Sequence, residues 1–411
     1  MLCQNGPVRV RRSVAMAGLL LATLGMACLG GQEAPEPDTT PQGEGREDPG
    51  FSDDHVLFGQ SAALTGPARE LGQAMRLGIE AAFHEANQDG GVHGRELKLK
   101  ALDDGYETDF AAVNTQRLIE DEGVFALIGA VGTPTSRAAS PLARAAGVPF
   151  LAPFTGAEFL RGPELDHVLN LRASYYQETE EMVARLTEDL GITRVAVLYQ
   201  DDSFGLNGLE GARLALERRG LEPAAAAHYP RNTRAVKGAA LEITAARPEA
   251  VILIGSYLPV VKTMELVRRE LDPVFMTVSF VGSNALAREL GPDGAGVYVT
   301  QVVPPPDDES IPVVARYHRA LSGYDPRAEP GFVSLEGYLA GRLAVAGLEA
   351  CGPDLSRECL LHAVRDAGAM EIDGLRLEYG PDDNQGSDAV FLTVIGADGK
   401  YHGVERLGSP Y

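Results

Sequence analysis

The sequence predicts an α/β protein of two Rossmann-like, doubly wound parallel-sheet lobes joined by three hinge crossings. Three features predict it. Short apolar strands alternate with helical stretches from residue 55 onward, the alternation runs as two successive series, and the helices beyond residue 302 have no strands between them. Such alternation implies parallel sheets covered by helices on both faces. A chain of 411 residues also suits two domains of ordinary size.

The first series opens with a strand at 55–60. Residues 69–88 read as a helix, with Leu71, Met75, Leu77, Ile79 and Ala82 among its apolar positions. Gly90-Gly91 stops it, and 96–102 alternates polar and apolar as a strand. A helix over 111–120 leads into 124–129, whose apolar run suits a parallel strand covered on both faces. A helix through Ala138 and a short strand at 148–151 complete the series. The pattern then restarts: helix 176–190, strand 194–199, helix 206–219, a strand near 222–229, helix 234–246, strand 250–255, helix 259–270 and strand 274–278. Each series predicts an open parallel sheet.

Pro304-Pro305-Pro306 opens a different tail, with helices near 310–322, 331–350 and 355–367 followed by two strands. Helices without strands between them must pack on a sheet already built. The chain therefore crosses back to the first lobe after about residue 302 and returns to the second near Phe391. The expected boundaries are 53–172 plus 303–390 for one lobe, and 173–302 plus 391–411 for the other.

The first 27 residues read as an export signal. Arg9, Arg11 and Arg12 precede an apolar run from Val14 to Ala27, too short to span a bilayer. Gly25-Met26-Ala27-Cys28 is similar to the lipobox of bacterial lipoproteins, although Leu24 sits one place early. Cys28 is thus the candidate lipid anchor, with a plain soluble export signal as the alternative. Residues 28–52 follow as an acidic tether rich in Pro, Gly and Glu, with almost nothing to bury. The expected location is the periplasm or cell envelope, held to a membrane through the lipid alone.

A formal charge of −22 argues against nucleic acid, which needs clustered Lys and Arg to neutralise phosphates. Cys351 and Cys359, eight apart around a Gly-Pro-Asp turn, suit a small-loop disulfide in an oxidising compartment. Two buried thiols at the ends of adjoining helices are the alternative. No metal site is expected, since two Cys lack a ligand pattern and no His pair has helical spacing. No cofactor is expected either. Nor is an enzyme: Gly-x-Ser-x-Gly and Walker A motifs are absent, and no Gly-x-Gly-x-x-Gly follows the first strand.

Phe58 to Pro67 (FGQSAALTGP) resembles the opening strand and loop of type I periplasmic binding proteins, of which the Leu/Ile/Val-binding proteins are the best known. The resemblance continues through Asn87 to Arg95 (NQDGGVHGR), Ile128 to Thr133, Pro149 to Pro153, and Asp202-Ser203-Phe204-Gly205, covering roughly residues 55–400. It implies a monomeric solute-binding protein of an ABC-type uptake system. Such a protein closes its lobes on a small-molecule ligand and presents the closed form to a permease of the inner membrane. A sensing or envelope-assembly lipoprotein with the same clamp is the alternative.

Ligands of open α/β sheets sit beyond the carboxyl ends of the strands. That rule selects Leu64 and Thr133, the latter at a helix start able to hold a carboxylate through hydroxyl and N–H groups. The resemblance adds Phe154, Thr155 and Gly156 from the first lobe. Opposite them it places Tyr175, Tyr176, Gln177, Phe204, Tyr257 and Asn284. Asn284 and Gln177 stand where amino-acid binders commonly carry an acid facing the ligand's ammonium. Glu158 or Asp202 then supplies that charge for an amino acid, or the ligand is instead a neutral amide, a urea-like molecule or a carboxylic or aromatic acid.

Overall fold

The computed structural model describes residues 48–408. The signal segment, Cys28 and most of the tether lie outside the described residues.

The first sheet takes five strands: β1 (His55–Ala62), β2 (Glu96–Asp103), β3 (Ala126–Ile128), β4 (Phe150–Leu151) and β5 (Val168–Leu169). They lie in the order β2-β1-β3-β4-β5, all parallel. The second sheet contains β6 (Val195–Gln200), β7 (Ala225–Tyr229), β8 (Ala250–Ile254), β9 (Val274–Thr277) and β10 (Tyr298–Gln301). Their order, β7-β6-β8-β9-β10, repeats that of the first sheet. Strand order therefore reverses between β1 and β3 in one sheet and between β6 and β8 in the other. Those switch points open crevices beyond the strand ends.

The helices α1 (Arg69–Gln88), α2 (Thr108–Glu120) and α3 (Thr133–Ala145) belong to the first series. The second holds α4 (Tyr175–Leu190), α5 (Ser203–Glu217), α6 (Lys237–Ala246), α7 (Tyr257–Val267) and α8 (Ser283–Leu290). Leu71, Met75, Ile79 and Ala82 of α1 are buried, as their spacing requires. The sequence reading did not single out α8 or β5, both short.

In the tail, α9 (Pro312–Tyr324) and α10 (Phe332–Cys351) pack on α1, which returns the chain to the first lobe. The α1–α10 approach is closed by glycines: a Cβ on Gly78 would strike the backbone of Ser334 and Tyr338. Cys351 and Cys359 are joined as a disulfide with their Cα atoms 5.8 Å apart, tying α10 to α11 (Arg357–Arg365). A hairpin, β11 (Ala369–Ile372) and β12 (Leu375–Glu378), follows.

The chain then adds β13 (Phe391–Ile395) and β14 (Tyr401–Gly403) to the second sheet, both antiparallel to their neighbours. The expected all-parallel sheet is thus mixed at this edge. β13 enters from the first lobe, opposite to the direction of β10, so it can pair only antiparallel. Two of the crossings bond to each other, Asn170 N–H donating to Asn384 O at 2.7 Å and Gly386 N–H to Asn170 O at 2.8 Å.

The two sheets press together so that the described residues form one continuous body. One apolar core runs across both lobes. Separate cores cover the far face of each sheet. Among the described residues, no helix is long and apolar enough to cross a membrane.

Candidate functional site

The loops at the two switch points face each other. From the first lobe, the turn after β3 delivers Thr133 at the start of α3, and the loop after β4 delivers Phe154, Thr155 and Gly156. The Thr133 and Thr155 hydroxyls lie 2.7 Å apart, both fully buried. Gly132 just before them has φ +105°, and a Cβ there would collide with the Tyr106 ring. A Cβ on Gly156 would lie 2.7 Å from Tyr175. Both glycines are therefore demanded by close approach.

Aromatic rings meet these loops from both sides. Phe280, after β9, lies 4.6 Å from Phe204, 5.3 Å from Phe154 and 6.1 Å from Tyr106 between ring centroids. Tyr175 lies 5.3 Å from Phe204. None of the five rings is more than 1% exposed. The Tyr175 hydroxyl sits 3.4 Å from Thr155 Oγ1, and the Gln200 amide donates to the Tyr106 hydroxyl at 3.3 Å across the lobes.

Tyr257 is 2% exposed and belongs to the core of the second lobe. It borders the cleft at Gly282, where Leu71 approaches from the first lobe. Its hydroxyl lies by the Glu70 backbone without a well-formed hydrogen bond. Leu64 is half-buried at the edge, its N–H donating to Asp103 Oδ1 at 2.9 Å.

Three of the expected residues lie elsewhere. Gln177 closes a capping box with Ser174 at the start of α4, and its amide donates to Asp388 on the outer side of the crossings. Tyr176 is half-buried and lines an outer cavity of about 670 Å³ with Arg161, Arg218 and Asp388. Helical geometry explains both, since positions one and two after Tyr175 turn away from the face it presents. Asn284 is exposed on the rim, where its amide donates to Pro330 O at 2.9 Å across the lobes.

Neither acid offered as a partner for an ammonium stands among the cleft rings with a free carboxylate. Glu158 is exposed and lines the outer cavity with Tyr176. Asp202 caps α5, its Oδ1 accepting from Phe204 N–H at 2.9 Å and Gly205 N–H at 3.3 Å, while Oδ2 accepts from Gln200 at 2.7 Å.

The sequence reading missed a buried charge network behind the rings. Arg172, wholly buried, donates to Glu178 at 3.1 Å and lies 3.4 Å from Glu336, and it also bonds Ser279. Glu178 accepts from Ser279 N–H at 2.7 Å and Thr300 Oγ1 at 2.6 Å. Burial raises the Glu336 carboxyl to about 7, which Arg172 offsets only in part. The Arg172 guanidinium stands 5.0 Å over the Phe154 ring and 5.9 Å over Tyr175. Tyr106, Phe280 and Arg172 each follow a strand end, and a lone Arg in the run Val168–Ala173 was the available signal.

Several bonds span the lobe boundary at its mouth. Glu107 accepts from Arg231 at 2.7 Å and Asn232 at 2.7 Å, and Glu70 accepts from Arg288 at 2.8 Å.

Two equivalent open sheets with opposed switch points define the type I periplasmic binding class. The chain belongs to the periplasmic binding protein family, whose pattern it matches over residues 56–400. It is 39% identical to a possible leucine/isoleucine/valine-binding protein from Rhodopirellula baltica SH 1, whose crystal structure superposes with a TM-score of 0.82. That match covers 87% of this chain and 98% of the other. Leu/Ile/Val-binding protein homolog 3 of Brucella melitensis is 23% identical, over 85% of this chain and 94% of the relative. Homolog 7 of Brucella abortus is 26% identical over 48% of this chain, and there the match spans about half of the relative's length, 51%.

Proposed function

We propose that this protein captures a small organic ligand between its lobes and delivers it to an ABC-type permease of the inner membrane. The observation that carries the reading is convergence. Loops beyond the switch points of two equivalent sheets bring Phe154, beside the Thr133–Thr155 pair, against Phe280 and Phe204, with Tyr257 at the border. The lobes are taken as 53–172 plus 303–390 and 173–302 plus 391–411, with Cys28 as the lipid anchor.

Every ring of the cleft is buried, so cargo enters only when the lobes part. The crossings near Asn170, Val302 and Asn384 supply the hinge. A ligand drives closure only through contacts made with both lobes when shut. Micromolar affinity corresponds to about −8 kcal/mol, within reach of a few hydrogen bonds and an aromatic wall after ordering costs.

A thermal-shift screen of the purified protein against amino acids, amides, ureas and organic acids tests the reading. A ligand that binds only the folded state raises the melting temperature by mass action. The expected result is a shift of several degrees from one chemical class. No shift from any class would remove the capture function and favour an assembly role.

A further inference from the structure

We infer that the cargo is a carboxylate with a flat aromatic or similarly apolar body and no α-ammonium group. The inference rests on the capture reading above and names the ligand class of that same cleft.

The body of the ligand follows from the rings. Tyr106, Phe154, Tyr175, Phe204 and Phe280 come from five separate chain segments and two lobes, yet adjacent centroids lie 4.6–6.1 Å apart. With the lobes shut these rings pack on one another. Once the lobes part they present flat apolar faces, which favour stacked or edge-on aromatic partners, each pair contributing about 0.5–1.5 kcal/mol beyond area burial.

The head group follows from the hydroxyl pair. Thr133 opens α3, a helix with no side-chain cap and no acid in its first turn. Ser136 lies one turn along the same face, fully buried, and its hydroxyl has no partner. A helix start with a spare buried hydroxyl suits a carboxylate.

The lack of an ammonium follows from how the acids are used. Asp202 is spent on the α5 cap and Gln200. Glu178 holds Ser279, Thr300 and Arg172, and Glu336 faces Arg172. Asp104 accepts from Ser61 at 2.7 Å and from Tyr106 N–H at 2.8 Å. An ammonium would be buried without a free carboxylate, at a cost of several kcal/mol. A second cation over Phe154 or Tyr175 would also meet the like charge of Arg172, which already stands over both rings.

Calorimetric titration of the full exported chain with matched pairs tests this. 3-Phenylpropanoate and L-phenylalanine differ only by the α-amino group, as do 4-methylpentanoate and L-leucine; benzoate, phenylacetate and glycine betaine complete the set. The expected result is that an aryl carboxylate binds at least tenfold tighter than either amino acid or betaine. An amino acid or betaine that binds as tightly as the best carboxylate overturns the ligand class and leaves capture intact. So does a screen in which only other classes bind. If nothing in this set or the wider screen binds, capture itself fails and the inference falls with it. Thr133→Val is expected to weaken the carboxylate at least tenfold; unchanged affinity would contradict the assigned head-group site.

Discussion

The hydroxyl oxygens of Thr133 and Thr155 meet at 2.7 Å although the residues belong to different strand-end loops, and no water-facing surface remains on either. That contact is modestly stabilising, worth about 1 kcal/mol, and Thr155 Oγ1 also accepts from Ala157 N–H at 3.2 Å and lies 3.4 Å from the Tyr175 hydroxyl. In the proposed site it is Thr133, the less committed of the two, that turns to a ligand oxygen.

Glu336 sets a pH dependence. Burial raises its carboxyl from 4.5 to about 7, so the folded state favours the protonated form. Its contribution is complete below about pH 4.5 and is lost as pH rises through about 7. The melting temperature is expected to fall between pH 5 and pH 8. Glu336→Gln keeps the neutral shape, so it should flatten that fall and be at least as stable as the parent at pH 8. Asp104, raised to about 6 by burial, leaves a residual slope of the same sign. A variant that falls as steeply as the parent removes Glu336 as the cause.

Glu107 holds the mouth shut through Arg231 and Asn232 of the opposite lobe. Glu107→Ala should raise the open population of the ligand-free protein, the form that admits cargo. Solution scattering of the ligand-free variant should give a larger radius of gyration than the parent. Equal radii would show that these bonds do not govern closure.

The Cys351–Cys359 disulfide closes a loop eight residues long. A loop of that size is worth about 2–3 kcal/mol through the unfolded chain. Replacing both cysteines by serine should lower unfolding free energy by that amount in urea, with ligand affinity unchanged. A loss of affinity would tie the α10–α11 junction to the cleft.

Cys28→Ser should release the exported protein from membranes into the soluble fraction. Retention of the variant on membranes would exclude lipidation at this residue.

Much of the fold was legible because parallel sheets leave a plain signal. Ala250–Ile254 is apolar at every position and buried at every position. The Leu71, Met75 and Ile79 spacing likewise fixed α1 and its buried face. The antiparallel edge at β13 and β14 was not legible, because strand direction depends on where the chain arrives from, and no local residue encodes that. In the site, the strand-end rule selected Leu64 and Thr133 and the resemblance supplied Phe204 and Tyr257, yet neither could say which way a side chain turns within the first helical turn. Tyr175 points into the cleft while Gln177 caps its own helix and bonds Asp388. Tyr257 proved a core residue as well as a border one, so its truncation to Ala should cost about 3–5 kcal/mol of fold stability.

The most direct measurement is the affinity of the best ligand for the Thr133→Val/Thr155→Val double variant, beside its melting temperature. Valine keeps the shape of threonine and removes both hydroxyls together; Ala157 N–H loses its 3.2 Å acceptor, so the fold should lose about 1–3 kcal/mol. The melting temperature is expected to stay within a few degrees of the parent and binding to weaken by at least a hundredfold. A folded double variant that binds as tightly as the parent would place the ligand somewhere other than this cleft.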